Sequence, residues 1–192
     1  MIVYQLAKPG VFHTVQGEGI LSGVPMTFVR LAGCSVGCRE CDTQYAPLDT
    51  ATAEEIAAMA QGTPEWVWIT GGEPLDQDVS ELVDALAFIG HVAIATSGSR
   101  RMPQLTSVKF VSVSPHHTPD RLLVREGDQL NLVPGLNGLS LRDWRDFDAR
   151  GFRHRYVTPM GGRRNLDEAV QFVREHEGWK LGVQAHKVWG IA

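Results

Sequence analysis

The segment Cys34-Ser35-Val36-Gly37-Cys38-Arg39-Glu40-Cys41 comes just after the apolar stretch Met26–Leu31, and Gly71-Gly72-Glu73-Pro74 comes just after the next such stretch, Trp66–Thr70. Both stretches are short and rich in branched and aromatic residues, so they read as buried strands. Runs of the same kind recur at Val92–Thr96, Val108–Val113, Gln129–Val133, Arg155–Val157 and Lys180–Gln184. Near-continuous apolar strands are expected where both faces of a sheet are covered. Helical patterns lie between them. Thr52-Ala53-Glu54-Glu55 has the form of a capping box, and it opens a helix with Ile56 and Ala60 on one face. Val79, Leu82, Val83 and Leu86 repeat at helical spacing after Asp78 and run out at Gly90. Leu166, Ala169, Val170 and Val173 make a third stripe after Asn165, and Ser140–Ala149 reads as a shorter helix.

Strands alternating with helices imply βαβ units and a mainly parallel sheet. A complete eightfold barrel needs about 250 residues, more than this chain has, so the expectation is an α/β fold with a partial, open barrel and about three main helices. Neither an internal repeat nor a Pro/Gly-rich linker breaks the sequence, so residues 1–192 are expected to form one domain. Ligands of parallel sheets gather at the carboxyl ends of the strands. The two unusual segments fall at such ends.

Composition narrows the class further. At 43% hydrophobic and 21% charged, the chain has the apolar surface that disordered segments lack. A formal net charge of −4 argues against a chain held on nucleic acid or an anionic membrane. No apolar run approaches the roughly 18–20 residues of a membrane helix. The opening residues show no basic stretch leading into an apolar core, so a cytoplasmic protein is expected. Arginines cluster between Arg142 and Arg164, as either a basic rim for an anionic partner or a solvated face interleaved with Asp143, Asp146 and Asp148.

All three cysteines fall within the eight-residue loop. Thiols so close together cross-link almost nothing, but they can converge on one inorganic centre. A structural zinc site wants four ligands brought together from separate segments. His13 and His91, the nearest histidines in sequence, are not at ligand spacing. An iron–sulfur cubane on three cysteines leaves one iron open to a molecule bearing an amino group and a carboxylate. The spacing favours the cubane over zinc, and over unrelated free thiols.

Cys-x3-Cys-x2-Cys followed at the next strand end by Gly-Gly-Glu-Pro resembles the radical S-adenosylmethionine (SAM) enzymes. Phe12-His13-Thr14-Val15-Gln16-Gly17-Glu18-Gly19, Phe28–Cys34, Cys41-Asp42-Thr43, Val113-Ser114-Pro115, Pro159-Met160 and Gln184-Ala185-His186-Lys187 extend that likeness over the whole chain. Together they resemble the 7-carboxy-7-deazaguanine synthase family, which makes the precursor of queuosine-type nucleosides.

The resemblance implies a carbon–nitrogen lyase. An electron enters a 4Fe–4S cluster, SAM is cleaved, and the resulting radical takes hydrogen from 6-carboxy-5,6,7,8-tetrahydropterin. That substrate contracts its ring and loses ammonia, with Mg2+ assisting. Carried onto this sequence, Cys34, Cys38 and Cys41 would hold the cluster and Thr43 the Mg2+. SAM would meet Glu40, Asp42, Gly71, Gly72, Glu73, Ser114, Pro115, His116, Thr158, Pro159, Met160 and Gly161. Substrate would meet Val15, Gln16, Gly17, Glu18, Arg30, Thr70, His186 and Ala192. Flavodoxin or ferredoxin would supply the electron, and a homodimer is expected.

Each position also has a plainer reading. Glu73 could order its own turn, Arg30 could be a surface residue, and His186 could be structural. Gln16–Gly19 could be only a turn, and Thr43 a helix cap. Three positions depart from the family pattern. Glu40 stands where an aromatic residue is usual, Ala95-Thr96-Ser97-Gly98 where Glu-Thr-Asn-Gly is common, and His116 where a lysine often follows Ser-Pro. The rivals are an activase that makes a glycyl radical on a partner protein, and a non-enzymatic iron–sulfur module. An activase would not need Gln16–Gly19 or His186–Ala192, and an electron carrier would close its cluster with a fourth cysteine.

Overall fold

The computed structural model describes residues 2–41, 43–62, 65–161 and 163–191. Asp42 and Ala192, named above for SAM and substrate, lie outside the described residues. The strands are β1 (Val3–Val15), β2 (Pro25–Leu31), β3 (Pro47–Thr52), β4 (Trp66–Gly71), β5 (His91–Thr96), β6 (Val108–Val113), β7 (Gly127–Leu132), β8 (Phe152–Val157) and β9 (Trp179–Leu181). They form one nine-stranded sheet in the order β3-β1-β2-β4-β5-β6-β7-β8-β9. From β2 to β9 every pairing is parallel, while β1 pairs antiparallel with both β2 and β3. With β3 and β9 at its two edges the sheet is open, as expected for a partial barrel.

The helices are α1 (Ala53–Ala60), α2 (Ser80–Ala87), α3 (Leu166–Glu175) and the short α4 (Ala185–Trp189). The capping box opens α1 as expected: Thr52 Oγ1 accepts from the Glu55 amide, and Glu55 accepts from the Thr52 amide at 2.8 Å. On α2, Leu82, Val83 and Leu86 are buried. The buried pair on α3 is Ala169 and Phe172, with Leu166, Val170 and Val173 only half-buried. Between Ser140 and Ala149 there is a short 3-10 turn, Leu141–Trp144, rather than an α-helix.

Three elements were not foreseen: β1, β3 and the five-residue α4, too short to show a helical stripe. Lys8-Pro9-Gly10 interrupts β1 and shifts its register between Leu6 and Val11, and four of the six residues of β3 are exposed polar or edge positions. Neither strand carries a period-two apolar signal along its length.

Side chains alternate across each parallel strand, and this alternation builds the site. Val29, Leu31, Val67, Ile69, Val92, Ile94, Val111, Val113, Leu130 and Leu132 join the core beneath the helices. The opposite, concave face begins with Met26, Phe28, Trp68, Ala93 and Phe110. Farther along the same strands that face turns polar, with Arg30, Thr70, Ser112, Ser114, Gln129 and Asn131. The strands are apolar on both faces only near their amino ends. The carboxyl ends open into a cavity.

Candidate functional site

A cavity of about 300 Å³ occupies the concave face at the carboxyl ends of the strands. Its lower wall is aromatic, from Phe12, Phe28 and Trp68, and Phe12 stacks on Phe28 at 5.2 Å between ring centroids. Parallel pairing puts Arg30 on β2 opposite Thr70 on β4, so both side chains project into the same space. The Arg30 guanidinium carbon lies 5.2 Å from the centre of the Phe12 ring, a cation–π contact that holds a positive charge at the wall.

The cysteine loop closes the mouth. Cys34, Cys38 and Cys41 all line the cavity, with Cys38 buried, Cys34 half-buried and Cys41 exposed. Burial, reinforced by neighbouring Cys41, Cys34 and Glu40, pushes the Cys38 thiol up to about 11. Among the described residues no three His, Cys, Asp or Glu side chains converge closely enough to hold a single metal ion. A cubane asks for a different arrangement, in which three sulfurs face one volume and each reaches its own iron. This donor set fits that demand.

The loop is anchored at its root by the glycine turn. The Gly72 amide donates to the Leu31 carbonyl at 2.9 Å, and the Glu73 amide to the Gly33 carbonyl at 3.0 Å. Gly71 has φ +132°, and a Cβ there would strike the Leu31 backbone; at Gly72 it would strike the Gly33 carbonyl and press on Cys34. The two glycines are therefore needed to let β4 pack against the start of the cysteine loop. Ser35 adds a second anchor, donating to Asp76 through its amide at 2.6 Å and its hydroxyl at 2.8 Å. Partial burial opposes ionisation of Asp76, but hydrogen bonds from Ser35 and Arg100 outweigh it and hold the carboxyl below its usual range.

Glu73 is 1% exposed and bonded within the protein. Oε1 accepts from the Leu75 amide (3.1 Å) and the Thr96 hydroxyl (2.7 Å), and Oε2 accepts from both the amide and the hydroxyl of Ser97. The local-order reading of this residue is the one its contacts carry. They also account for Thr96-Ser97, which supply three of its donors.

At the other end of the cavity, Glu18 is held by two primary amides. Asn131 Nδ2 donates to Oε2 at 3.0 Å and Gln184 Nε2 to Oε1 at 2.9 Å. Thr158 donates to Asn131 Oδ1 at 2.6 Å, and the Gly161 amide to Gln184 Oε1 at 2.8 Å. A carboxylate offers about four lone-pair sites, more than these two amides use. Gln16 shapes the turn before Glu18, its Oε1 accepting from the amides of Gly17 (2.9 Å) and Glu18 (3.1 Å). The chain returns to the same place at α4, where the Ala185 amide donates to the Gly17 carbonyl at 2.8 Å. The His186 ring packs where a Gly17 Cβ would stand. Gln16–Gly19 and the His186 segment, far apart in sequence, thus form one wall.

Val15, Gln16, Gly17, Glu18, Arg30, Thr43, Thr70, Ser114, Met160 and His186 line the cavity together with the cysteines, Glu40, the glycine turn and His116. Pro115, Thr158 and Pro159 are buried behind the wall, and Gly161 meets the site through Gln184. Thr158 spends its hydroxyl on Asn131, which ties it to the Glu18 end. Sequence reasoning missed Gln129, Asn131 and Asn137, and named Gln184 only as part of the Gln184–Lys187 motif, without a role. The first two did leave a signal: they alternate with Leu130 and Leu132 in an otherwise apolar strand, the period expected of a strand with one polar face. Asn137 had none. It donates through its backbone amide to Glu40 (3.3 Å) and through Nδ2 to the His116 carbonyl (3.1 Å), while Cys38 Sγ and His116 Nδ1 lie 2.9 Å apart. Glu40 and His116, two of the departures from the family pattern, belong to this one network.

No family model matches the chain. Among curated proteins it is 33% identical over 208 positions to 7-carboxy-7-deazaguanine synthase of Burkholderia multivorans, covering 94% of this chain and 96% of that one. It is 31% identical over 183 positions to the protein of the same name from Bacteroides thetaiotaomicron, with the same coverage. Among solved structures, QueE from Escherichia coli superposes with a TM-score of 0.77 at 25% identity, over 96% of this chain and 95% of that one.

Proposed function

The chain belongs to the 7-carboxy-7-deazaguanine synthase family, and from that membership we propose that it converts 6-carboxy-5,6,7,8-tetrahydropterin to 7-carboxy-7-deazaguanine with loss of ammonia. It is on this reading a radical SAM lyase of queuosine-type nucleoside biosynthesis. The observation that carries the reading is the single cavity faced by three thiols at one end and by the Glu18 amide network at the other.

A 4Fe–4S cluster carrying SAM supplies, when bound, hydrogen-atom abstraction from an unactivated carbon. The chain's own residues bind and orient. Cys34, Cys38 and Cys41 would hold the cluster. Aromatic rings of Phe12, Phe28 and Trp68 offer flat apolar surface to a bicyclic substrate. Glu18, already fixed by Asn131 and Gln184, would accept from the guanidine-like N–H groups of the pterin. Arg30 would pair with the substrate carboxylate through two parallel hydrogen bonds, with Thr70 beside it. His186, packed against Gly17, would close that end of the cavity.

Gly71, Gly72 and the backbone near Glu73 would present the SAM-facing edge, and Ser114, His116 and Met160, which line the same cavity, would meet SAM as well. Thr43, half-buried on the cavity wall beside Cys41, would give Mg2+ one oxygen, with substrate and water completing the shell. A flavodoxin or ferredoxin donor, a homodimer and a cytoplasmic location rest on the family resemblance. Among the described residues no helix is long and apolar enough to cross a membrane.

The test is anaerobic reconstitution with iron and sulfide, followed by turnover of the pterin with SAM and Mg2+. Formation of the deazapurine supports the reading. A zinc-only protein, or a fully ligated cluster that does not respond to SAM, ends it.

A further inference from the structure

His116 sits where the cavity wall meets the cysteine loop, and its contacts are specific. We propose that His116 is a positioning residue for the cluster: its Nδ1–H donates to Cys38 Sγ when that sulfur ligates iron, and a chain of contacts through Asn137 and Glu40 holds the ring there. The proposal rests on the functional reading above, because it concerns the cluster that reading requires.

The direction of the hydrogen bond follows from the chemistry. In a free thiol at 2.9 Å from a ring nitrogen, either partner could donate. A sulfur bound to iron has lost its proton and can only accept. The ring nitrogen facing it must then carry the proton. Reduction adds electron density to the cluster and its sulfurs, so a fixed N–H donor favours the reduced form. Hydrogen bonds to ligating sulfurs are one of the levers that set cluster potentials.

The aim of the ring is built into three loops. Asn137 has φ +49°, a backbone conformation that asparagine tolerates better than most residues. In that pose its Nδ2 donates to the His116 carbonyl at 3.1 Å and its amide to Glu40 Oε2 at 3.3 Å. Glu40 stands between Cys38 and Cys41. The circuit therefore runs from the cysteine loop to the loop after β7, on to the loop after β6, and back to Cys38. The Cys41 sulfur lies 3.5 Å from the Thr43 carbonyl oxygen, which cannot donate. Among the described residues, His116 is the side chain whose hydrogen bond brings a nitrogen to a cysteine sulfur.

The experiment compares the full-length protein with His116→Asn and His116→Leu, each reconstituted anaerobically and titrated electrochemically at one pH without SAM, with the cluster read by electron paramagnetic resonance. Asparagine keeps a donor at nearly the same reach as Nδ1, whereas leucine fills the space with none. His116→Leu should lower the ratio of reduced to oxidised cluster about tenfold at a fixed potential, or about 59 mV for one electron. His116→Asn should stay within about threefold of the parent by the same conversion. An unchanged midpoint in His116→Leu at full iron content overturns the proposal.

If the leucine variant takes up no cluster, pulsed resonance on the parent protein labelled with 15N-histidine decides. A weak coupling from a hydrogen-bonded ring nitrogen supports the proposal. No histidine coupling overturns it, and so does a coupling as large as that of a directly bound nitrogen, since the ring would then be an iron ligand. A parent protein with no cluster, or with one indifferent to SAM, ends the functional reading and this proposal together. A SAM-responsive cluster whose potential ignores His116 ends only the proposal.

Discussion

Ser97 donates to Glu73 twice, through its amide at 2.8 Å and through its hydroxyl to the same carboxylate oxygen. That pairing ties the end of β5 to the glycine turn after β4, and so steadies the surface against which the cysteine loop packs. Glu73→Gln would set an amide nitrogen among donors. It should destabilise the fold by about 2–4 kcal/mol, given the strength of hydrogen bonds to a buried charge and the cost of leaving partners unmatched. Denaturant unfolding of the cluster-free protein measures this. A loss below about 0.5 kcal/mol, the range of surface substitutions, would show that the carboxylate is not the organiser of the turn.

Gly72 separates packing from chemistry. A Cβ at this position meets the Gly33 carbonyl and the Cys34 side chain, so Gly72→Ala should push the root of the cysteine loop away. Overpacking of this kind costs about 1–3 kcal/mol. Iron content after reconstitution should fall before the sheet unfolds. Full iron loading with unchanged stability would refute the close-packing account.

Arg30 tests the substrate end. Arg30→Lys keeps the charge but loses the planar fork, and should raise the KM for the pterin by about 10–100-fold, the value of a charge-assisted bidentate contact. The SAM-dependent change in the cluster spectrum should remain. An unaltered KM would remove Arg30 from substrate binding, and a lost SAM response would move it to the other end of the cavity.

If Cys38 ligates the cluster as proposed, its thiol should make cluster assembly depend on pH. With the thiol pushed up to about 11, it is protonated at neutral pH in the cluster-free protein. Iron binding must displace that proton. The pKa is raised, so the protonated, metal-free form is favoured below it, and iron uptake should strengthen as pH rises from about 7 toward 9. Buffered iron titration of the reduced protein measures it. Uptake independent of pH over that range would show that Cys38 is already ionised or does not ligate.

Much of the fold was legible because local pattern and tertiary role agree. The parallel strands after β1 coincide with apolar runs, and α1 begins at its capping box, since burial and capping are written in neighbouring residues. By contrast β1 and β3 pair at an open edge of the sheet, where partner strands rather than sequence pattern satisfy the backbone. The cysteine triplet and the glycine turn were legible as neighbours at consecutive strand ends, but the reason for the glycines was not. Their missing side chains make room for Leu31 and Gly33, which only the folded register brings opposite them.

By itself the amino-acid order determined the class of fold and set the three thiols and the glycine turn at consecutive strand ends, because each depends on spacing over a few residues. Only the tertiary structure decided which groups meet: Glu18 with Asn131 and Gln184, Gly17 with His186, and Cys38 with His116. Those pairs are separated by 78 to 169 residues. A hydrogen bond acts over about 3 Å, so such a contact is specified by the packing of the strands between its partners and not by any local run of residues.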